Sequence, residues 1–249
     1  MDANIFKQYI RYMELDRERV PSFSEYPFNL PAIKNLQRLA FHPQVTFIVG
    51  ENGSGKSTIL ESIAVAYGFN AEGGTKNFNF MSKATHSRLN NYIKVVEGTQ
   101  RPRDGFFLRA ESFYNFASTI DDLDSEPGGP PIIKSYGGIS LHEQSHGESF
   151  FALFQNRFGG KGIYILDEPE AALSPTRQMS MLSIMHDLVG EGSQFIIATH
   201  SPIIMAYPQA WIYEIKEEIE TVKYEDTEHY QVTRAFINNP KKMLRELLE

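Results

Sequence analysis

Four short apolar runs punctuate the chain, at residues 45–49, 106–108, 163–166 and 195–198. They are rich in β-branched and aromatic side chains and show almost no polar alternation. Strands of that kind have both faces covered, as in a parallel sheet held between layers of helices. Residues 57–67 predict a helix ending near Gly68, residues 148–158 a second ending at Gly159-Gly160, and residues 176–189 a third ending at Gly190. Glycine suits each stop because it enters the left-handed conformation that closes a helix. Strands alternating with helices predict an α/β fold with a mostly parallel central sheet and right-handed crossovers. A length of 249 residues fits one such domain, residues 1–249.

The remaining pattern is less regular. Residues 69–104 are polar and Asn-rich and predict a small antiparallel or irregular arm, with a hairpin around residues 92–96. Residues 112–160 predict a short helical subdomain. Within them, residues 121–131 (DDLDSEPGGPP) read as a surface loop with a solvated acidic face. Beyond Trp211 come short strands and then a closing helix over residues 240–249, with Pro240 in its first turn.

The first apolar run leads straight into Gly50-Glu51-Asn52-Gly53-Ser54-Gly55-Lys56-Ser57, which fits G-x-x-x-x-G-K-[ST] at every fixed position and opens a helix. Glycines at 50, 53 and 55 let the backbone wrap an anion with its N–H groups turned inward, and the helix start adds further donors. This is a P-loop, and it predicts ATP as ligand: Gly50, Asn52, Gly53, Ser54, Gly55 and Lys56 cradle the phosphates, Ser57 ligates Mg2+, and Thr58 lies by the α-phosphate. The third run ends in Asp167-Glu168, two carboxylates at the C-terminal end of a buried strand, where parallel sheets bind ligands. Asp167 is expected to hold the magnesium and Glu168 to act as general base toward water. Glu170 carries no separate expected role beyond solvated surface. His200 ends the next strand, in QFIIATHSP. Ser145-His146-Gly147-Glu148 lies one helix upstream of the acids, and its Ser-x-x-Glu spacing is also that of a helix capping box.

Composition excludes several classes. Apolar residues make up 41% and charged residues 22%, as in ordinary globular proteins. No run approaches the ~18 apolar residues of a membrane span, and no membrane insertion is expected. The stretch MDANIFKQYIRYMELDRERV has an early acid and no apolar signal core. The absence of cysteine rules out disulfides and thiolate metal sites and fits a cytoplasmic protein. A net charge of −7 argues against a generally basic nucleic-acid surface.

FFLRAESFYN, SHGES and ILDEPEAALSP, together with the phosphate loop and His200, make the chain resemble the ATP-binding-cassette (ABC) ATPases, from roughly Tyr26 to Pro202. Within them it is similar to compact, stand-alone AAA or ABC-like ATPases near the Rad50, SMC and RecF branch. The resemblance implies a P-loop NTPase fold and an ATP-sandwiched, head-to-tail homodimer in which Ser145 and Gly147 bind the γ-phosphate held by a second protomer. It implies that His200 contacts the γ-phosphate in cis, and it places Glu111 where the family has its Q-loop glutamine, as a catalytic or water-mediated metal contact. His146 stands where the family has glycine, and Ser174 where it has the aspartate closing the D-loop. Tyr26 and Phe28 are the aromatics upstream of the loop that could stack on adenine. Mg-dependent ATP hydrolysis is the function expected. A transporter's nucleotide-binding subunit and a non-hydrolysing ATP-gated module are the alternatives, with nucleic acid or a partner protein as further possible partners. Between residues 111 and 145 there is little room for the helical subdomain that docks on a membrane partner.

Overall fold

The structure, a computed structural model, describes residues 8–76, 87–125 and 131–249. In chain order the elements are β1 (Ile10–Leu15), α1 (Pro31–Lys34), β2 (Arg38–Ala40), β3 (Val45–Gly50), α2 (Lys56–Ala66), β4 (Ile93–Glu97), β5 (Asp104–Arg109), α3 (Phe113–Ser125), α4 (His146–Ala152), β6 (Gly162–Asp167), α5 (Pro175–Gly190), β7 (Gln194–Ala198), α6 (Pro202–Met205), β8 (Trp211–Ile215), β9 (Ile219–Val222), α7 (Glu228–Asn238) and α8 (Pro240–Leu248).

The four apolar runs form four neighbouring strands, β5-β6-β7-β3, of one sheet ordered β5-β6-β7-β3-β8-β9. Its first five strands run parallel and β9 pairs antiparallel to β8. Every residue of β3, β6 and β7 is buried. Because side chains alternate across a strand, Phe106 and Leu108 enter one core while Phe107 enters the other. The first core is an aromatic layer under α3, α4 and α5, where Phe158 stacks on Tyr164 at 4.4 Å. The second packs α1, α2 and a small antiparallel sheet, β2-β1-β4, on the opposite face.

The expected small antiparallel element is present, but its pairing differs from expectation. Ile93–Glu97 is a strand, but it pairs with β1 rather than folding into a local hairpin; residues 77–86 of the expected arm lie outside the described residues. The buried Gln194 amide joins the two sheets. Its oxygen accepts from the Tyr9 and Ile10 N–H groups at 3.0 and 2.9 Å, and its nitrogen donates to the Ile10 and His42 carbonyls at 2.8 and 3.0 Å.

Residues 121–125, expected as loop, are the last turns of α3. Phe113, Phe116, Ala117 and Ile120 recur at the spacing of one helix face and are buried, and the acids occupy the outer face. Two of those acids are structural: Asp124 accepts the Ile132 and Ile133 N–H groups, and Asp121 accepts the Ser140 hydroxyl. Residues 126–130 lie outside the described residues. The helix expected over 148–158 begins earlier, at His146, and its last turn, Leu153–Arg157, widens to a π-helix. The C-terminus holds two helices where one was expected, because α7 precedes α8. Among the described residues no helix is long and apolar enough to cross a membrane.

Candidate functional site

The C-terminal ends of the parallel strands lie side by side in the order β5, β6, β7, β3, so Arg109, Asp167, Ala198 and Gly50 end neighbouring strands. The chain leaves β3 through a turn that side chains resist. Gly50, Gly53 and Gly55 have φ values of 145°, 78° and 104°. A Cβ on Gly50 would also lie 2.6 Å from the Ile215 carbonyl of β8, so this position excludes any larger residue. Helix α2 starts directly after the turn, and a Cβ on Gly53 would meet nothing within 4 Å, leaving that side of the loop open.

Lys56 is buried and folded back on the loop, donating to the Gly50 and Glu51 carbonyls at 2.9 and 3.0 Å. Burial lowers its pKa, opposed by the charges of Glu168, Asp167, Glu170 and Glu51. The ammonium is thus the positive centre of a ring of acids. Asp167 is buried; its desolvation pushes the carboxyl up to about 7, against a hydrogen bond from Ser57 and with Glu168 adding repulsion. Among the described residues its Oδ1 has no hydrogen-bond partner, and neither does the buried Ser54 Oγ.

Glu168 adopts φ 51° and ψ 54°, the left-handed region that a β-carbon disfavours. Its amide donates to the Ala198 carbonyl at 2.9 Å. The bend turns its carboxylate toward His200, whose Nε2 lies 3.4 Å from Glu168 Oε1. That separation is long for a hydrogen bond, and among the described residues Nε2 has no hydrogen-bond partner. Glu170 corrects the expectation of a solvated side chain: its Oε1 accepts the His200 backbone N–H at 2.5 Å and ties the two strand ends together.

Arg109, Glu61 and His229, which the motifs did not signal, complete this edge. Arg109, opposite Asp167 across β5 and β6, ion-pairs with the buried Glu61 of α2 at 2.7 Å and with Glu111 at 3.0 Å. Its sequence signal was only a charge at the end of an apolar run. His229, on α7, lies 2.8 Å from His200 Nδ1, and nothing near it in sequence marks it.

The structure gathers Gly50 to Thr58, Asp167, Glu168 and His200 at one sheet edge. Glu111 lies at the same edge, but its side chain is 83% exposed and engaged by Arg109. Ser145 and Gly147 make their contacts elsewhere. Ser145 and Glu148 form a capping box at the start of α4. Gly147 packs so closely that a Cβ would lie 2.7 Å from both the Ala172 carbonyl and Arg177 Nη1. Ser174 caps α5 by accepting the Arg177 N–H. Phe28 is fully buried, edge-on to Tyr92, so it fills core rather than offering a face to a base; Tyr26 is 59% exposed.

The donor set suits magnesium. Among the described residues no group of three His, Asp or Glu could hold a metal by itself. One orphaned carboxylate oxygen beside one hydroxyl is what Mg2+ uses when substrate phosphates and waters supply its remaining ligands.

Comparison with known proteins identifies the family. A family described as AAA ATPase domain matches residues 76–205, more than half of the chain, and one described as AAA domain matches residues 27–123. The ribose import ATP-binding protein RbsA of Yersinia pestis is 24% identical over 210 residues, covering 77% of this chain and 39% of its own length. The chain therefore spans about two-fifths of the length of the curated relatives it matches. Among solved structures, an ABC transporter in an inward-facing conformation aligns with TM-score 0.50 at 13% identity, over 91% of this chain and 88% of that one. An SMC head bound to the C-winged helix domain of ScpA aligns with TM-score 0.49 at 15% identity, over 87% and 99%.

Proposed function

Because the chain belongs to the AAA ATPase domain family, we propose that it binds Mg-ATP at the β3–α2 loop and hydrolyses it with Glu168 as general base, as a nucleotide-switched dimer. The observation that carries the reading is convergence. A retracted lysine, an orphaned carboxylate oxygen, an orphaned hydroxyl and an unpartnered imidazole nitrogen all belong to groups at one strand edge. Phosphate oxygens and a divalent cation would satisfy all four.

In this reading Lys56 leaves the Gly50 and Glu51 carbonyls for the β- and γ-phosphates, which accept the loop's N–H groups at the start of α2. Ser57 and Asp167 would hold magnesium, with Glu111 on its outer side through water. Bound there, the ion neutralises charge on the β- and γ-phosphates. Glu168 orients the attacking water and takes its proton, while His200 faces the γ-phosphate from the next strand. Ser145 and Gly147 serve the nucleotide of a second, head-to-tail copy, so that ATP joins the two chains and loss of the γ-phosphate loosens them. Such a switch works where ATP is held, in the cytoplasm.

The import role in the relatives' names favours a second reading, a transporter's nucleotide-binding subunit. Recovery of the dimer without any membrane protein favours the stand-alone form, and stoichiometric recovery with an integral membrane protein favours the subunit. The phosphate assignment is tested by calorimetry with Mg-ATP. Lys56→Ala removes the one side-chain cation the loop aims at phosphate, so binding falls at least tenfold, by loss of a charge-assisted contact of about 1.5–3 kcal/mol. Equal affinity in parent and variant refutes it.

A further inference from the structure

His200 is held on both of its ring nitrogens. Nε2 faces the Glu168 carboxylate at 3.4 Å. Nδ1 lies 2.8 Å from His229 Nε2, with the two rings 4.9 Å apart and inclined at 57°. A neutral imidazole carries one N–H, so whichever nitrogen donates leaves the other as an acceptor. On the proposed reading, Nε2 stands before a carboxylate and a phosphate, two groups that only accept. A lone pair there would be repelled by both. The proton therefore belongs on Nε2, and Nδ1 must accept.

Among the described residues, the donor in reach of Nδ1 is His229 Nε2–H. The other nitrogen of His229 fits this assignment, because Nδ1 is buried and among the described residues has no hydrogen-bond partner. Were that nitrogen the protonated one, a buried donor would be left unmade while two acceptor nitrogens faced each other at 2.8 Å. Doubly protonated His200 is disfavoured as well: burial and the Lys56 charge both lower its pKa, against the pull of Glu168.

The backbone holds His229 in place. It is the second residue of α7; Thr227 before it is fully buried, and the Glu228 N–H donates to the buried Glu214 carboxylate of β8 at 2.8 Å. The Tyr224 hydroxyl donates to the Pro202 carbonyl at 2.9 Å, binding the approach to α7 to the segment that follows His200. We propose that His229 is a positioning residue for the ATPase reaction: its Nε2–H locks His200 in the Nε2–H tautomer and fixes its ring toward Glu168 and the γ-phosphate. This rests on the ATP-hydrolysis reading above.

The test uses histidine-labelled protein and long-range proton–nitrogen NMR, with the His200 signals assigned by their loss in His200→Gln. In the parent, His200 is expected to show a protonated Nε2 and a bare Nδ1. His229→Leu removes the donor and is expected to give mixed tautomers, while His229→Gln keeps an N–H near the same place and preserves the parent pattern. In turnover, His229→Leu is expected to lower kcat about tenfold or more, the scale known for partners that orient metal-bound histidines, with KM for ATP nearly unchanged. His229→Gln recovers most of that loss. A parent whose His200 carries its proton on Nδ1 overturns the proposal, and so does a His229→Leu variant with the parent's tautomer and kcat. The tautomer measurement needs no turnover, and His229→Leu enters it only for comparison with the parent. A parent that binds but never cleaves ATP therefore refutes the hydrolysis reading without deciding the role of His229, which the spectrum decides.

Discussion

Gln194→Leu isolates the joint between the two sheets. The side chain is fully buried and makes four hydrogen bonds, all to backbone: two accepted from Tyr9 and Ile10 and two donated to Ile10 and His42. Leucine has a similar volume, so the cavity contribution is small and the polar one dominates. The two N–H groups that lose their acceptor are the costly ones, at about 1–3 kcal/mol each, whereas a carbonyl keeps a second lone pair for other partners. The loss should therefore fall near 2–6 kcal/mol, a large part of a typical domain's stability. Equilibrium urea unfolding measures it, with an unchanged slope showing that the same surface is exposed. Gln194 lies at the opposite end of β7 from His200, so Mg-ATP affinity should remain near that of the parent at temperatures where the variant is folded. A loss below about 1 kcal/mol would refute the reasoning, since the amide would then be one bond of ordinary worth rather than the joint.

Two further predictions address acid stability and the dimer. Burial alone would raise the Asp104 carboxyl, but the Gly159 N–H, the Arg157 guanidinium and the Tyr164 hydroxyl together hold it below the usual carboxylate range. Its contribution is thus complete above its unfolded pKa of about 3.9 and is lost as pH falls through the lower folded value. Asp104→Asn should be less stable than the parent at neutral pH and should lose less on acidification below about pH 4; parallel acid-unfolding curves would contradict this. Ser145→Arg puts a bulky cation at a position expected to face the partner's nucleotide. It should leave Mg-ATP binding to one chain intact and abolish ATP-dependent dimerisation in light scattering, and a normal dimer would leave Ser145 only its place as the cap of α4.

Legibility in the sequence followed the range of the interaction. The buried strands and α2 could be read because unbroken β-branched runs and a glycine stop act locally. The phosphate loop was clearer still, because backbone wrapping around an anion demands glycine at fixed spacing. Helix α3 carried its signal in Phe113, Phe116, Ala117 and Ile120, but the acids near Pro and Gly drew the reading toward a loop. The small sheet was beyond local reading: β1 pairs with β4 some eighty residues later, and Gln194 binds Tyr9 across 185 positions. His229 was hidden for the same reason, being one histidine on a polar helix whose meaning comes only from the ring it meets. Glu170 resembled surface because nothing in DEPE shows that the strand end curls it inward to the His200 amide.

The most direct test of the central claim is phosphate release from Mg-ATP by the parent and by Glu168→Gln, each at saturating nucleotide. The substitution keeps the shape of the side chain and removes its basicity, while Asp167 and the phosphate loop are untouched. The account predicts steady release by the parent and a fall of about a hundredfold or more in the variant, the lower bound for a positioned general base, with Mg-ATP affinity retained. Release by Glu168→Gln at the parent's rate would contradict it and remove Glu168 from the chemistry.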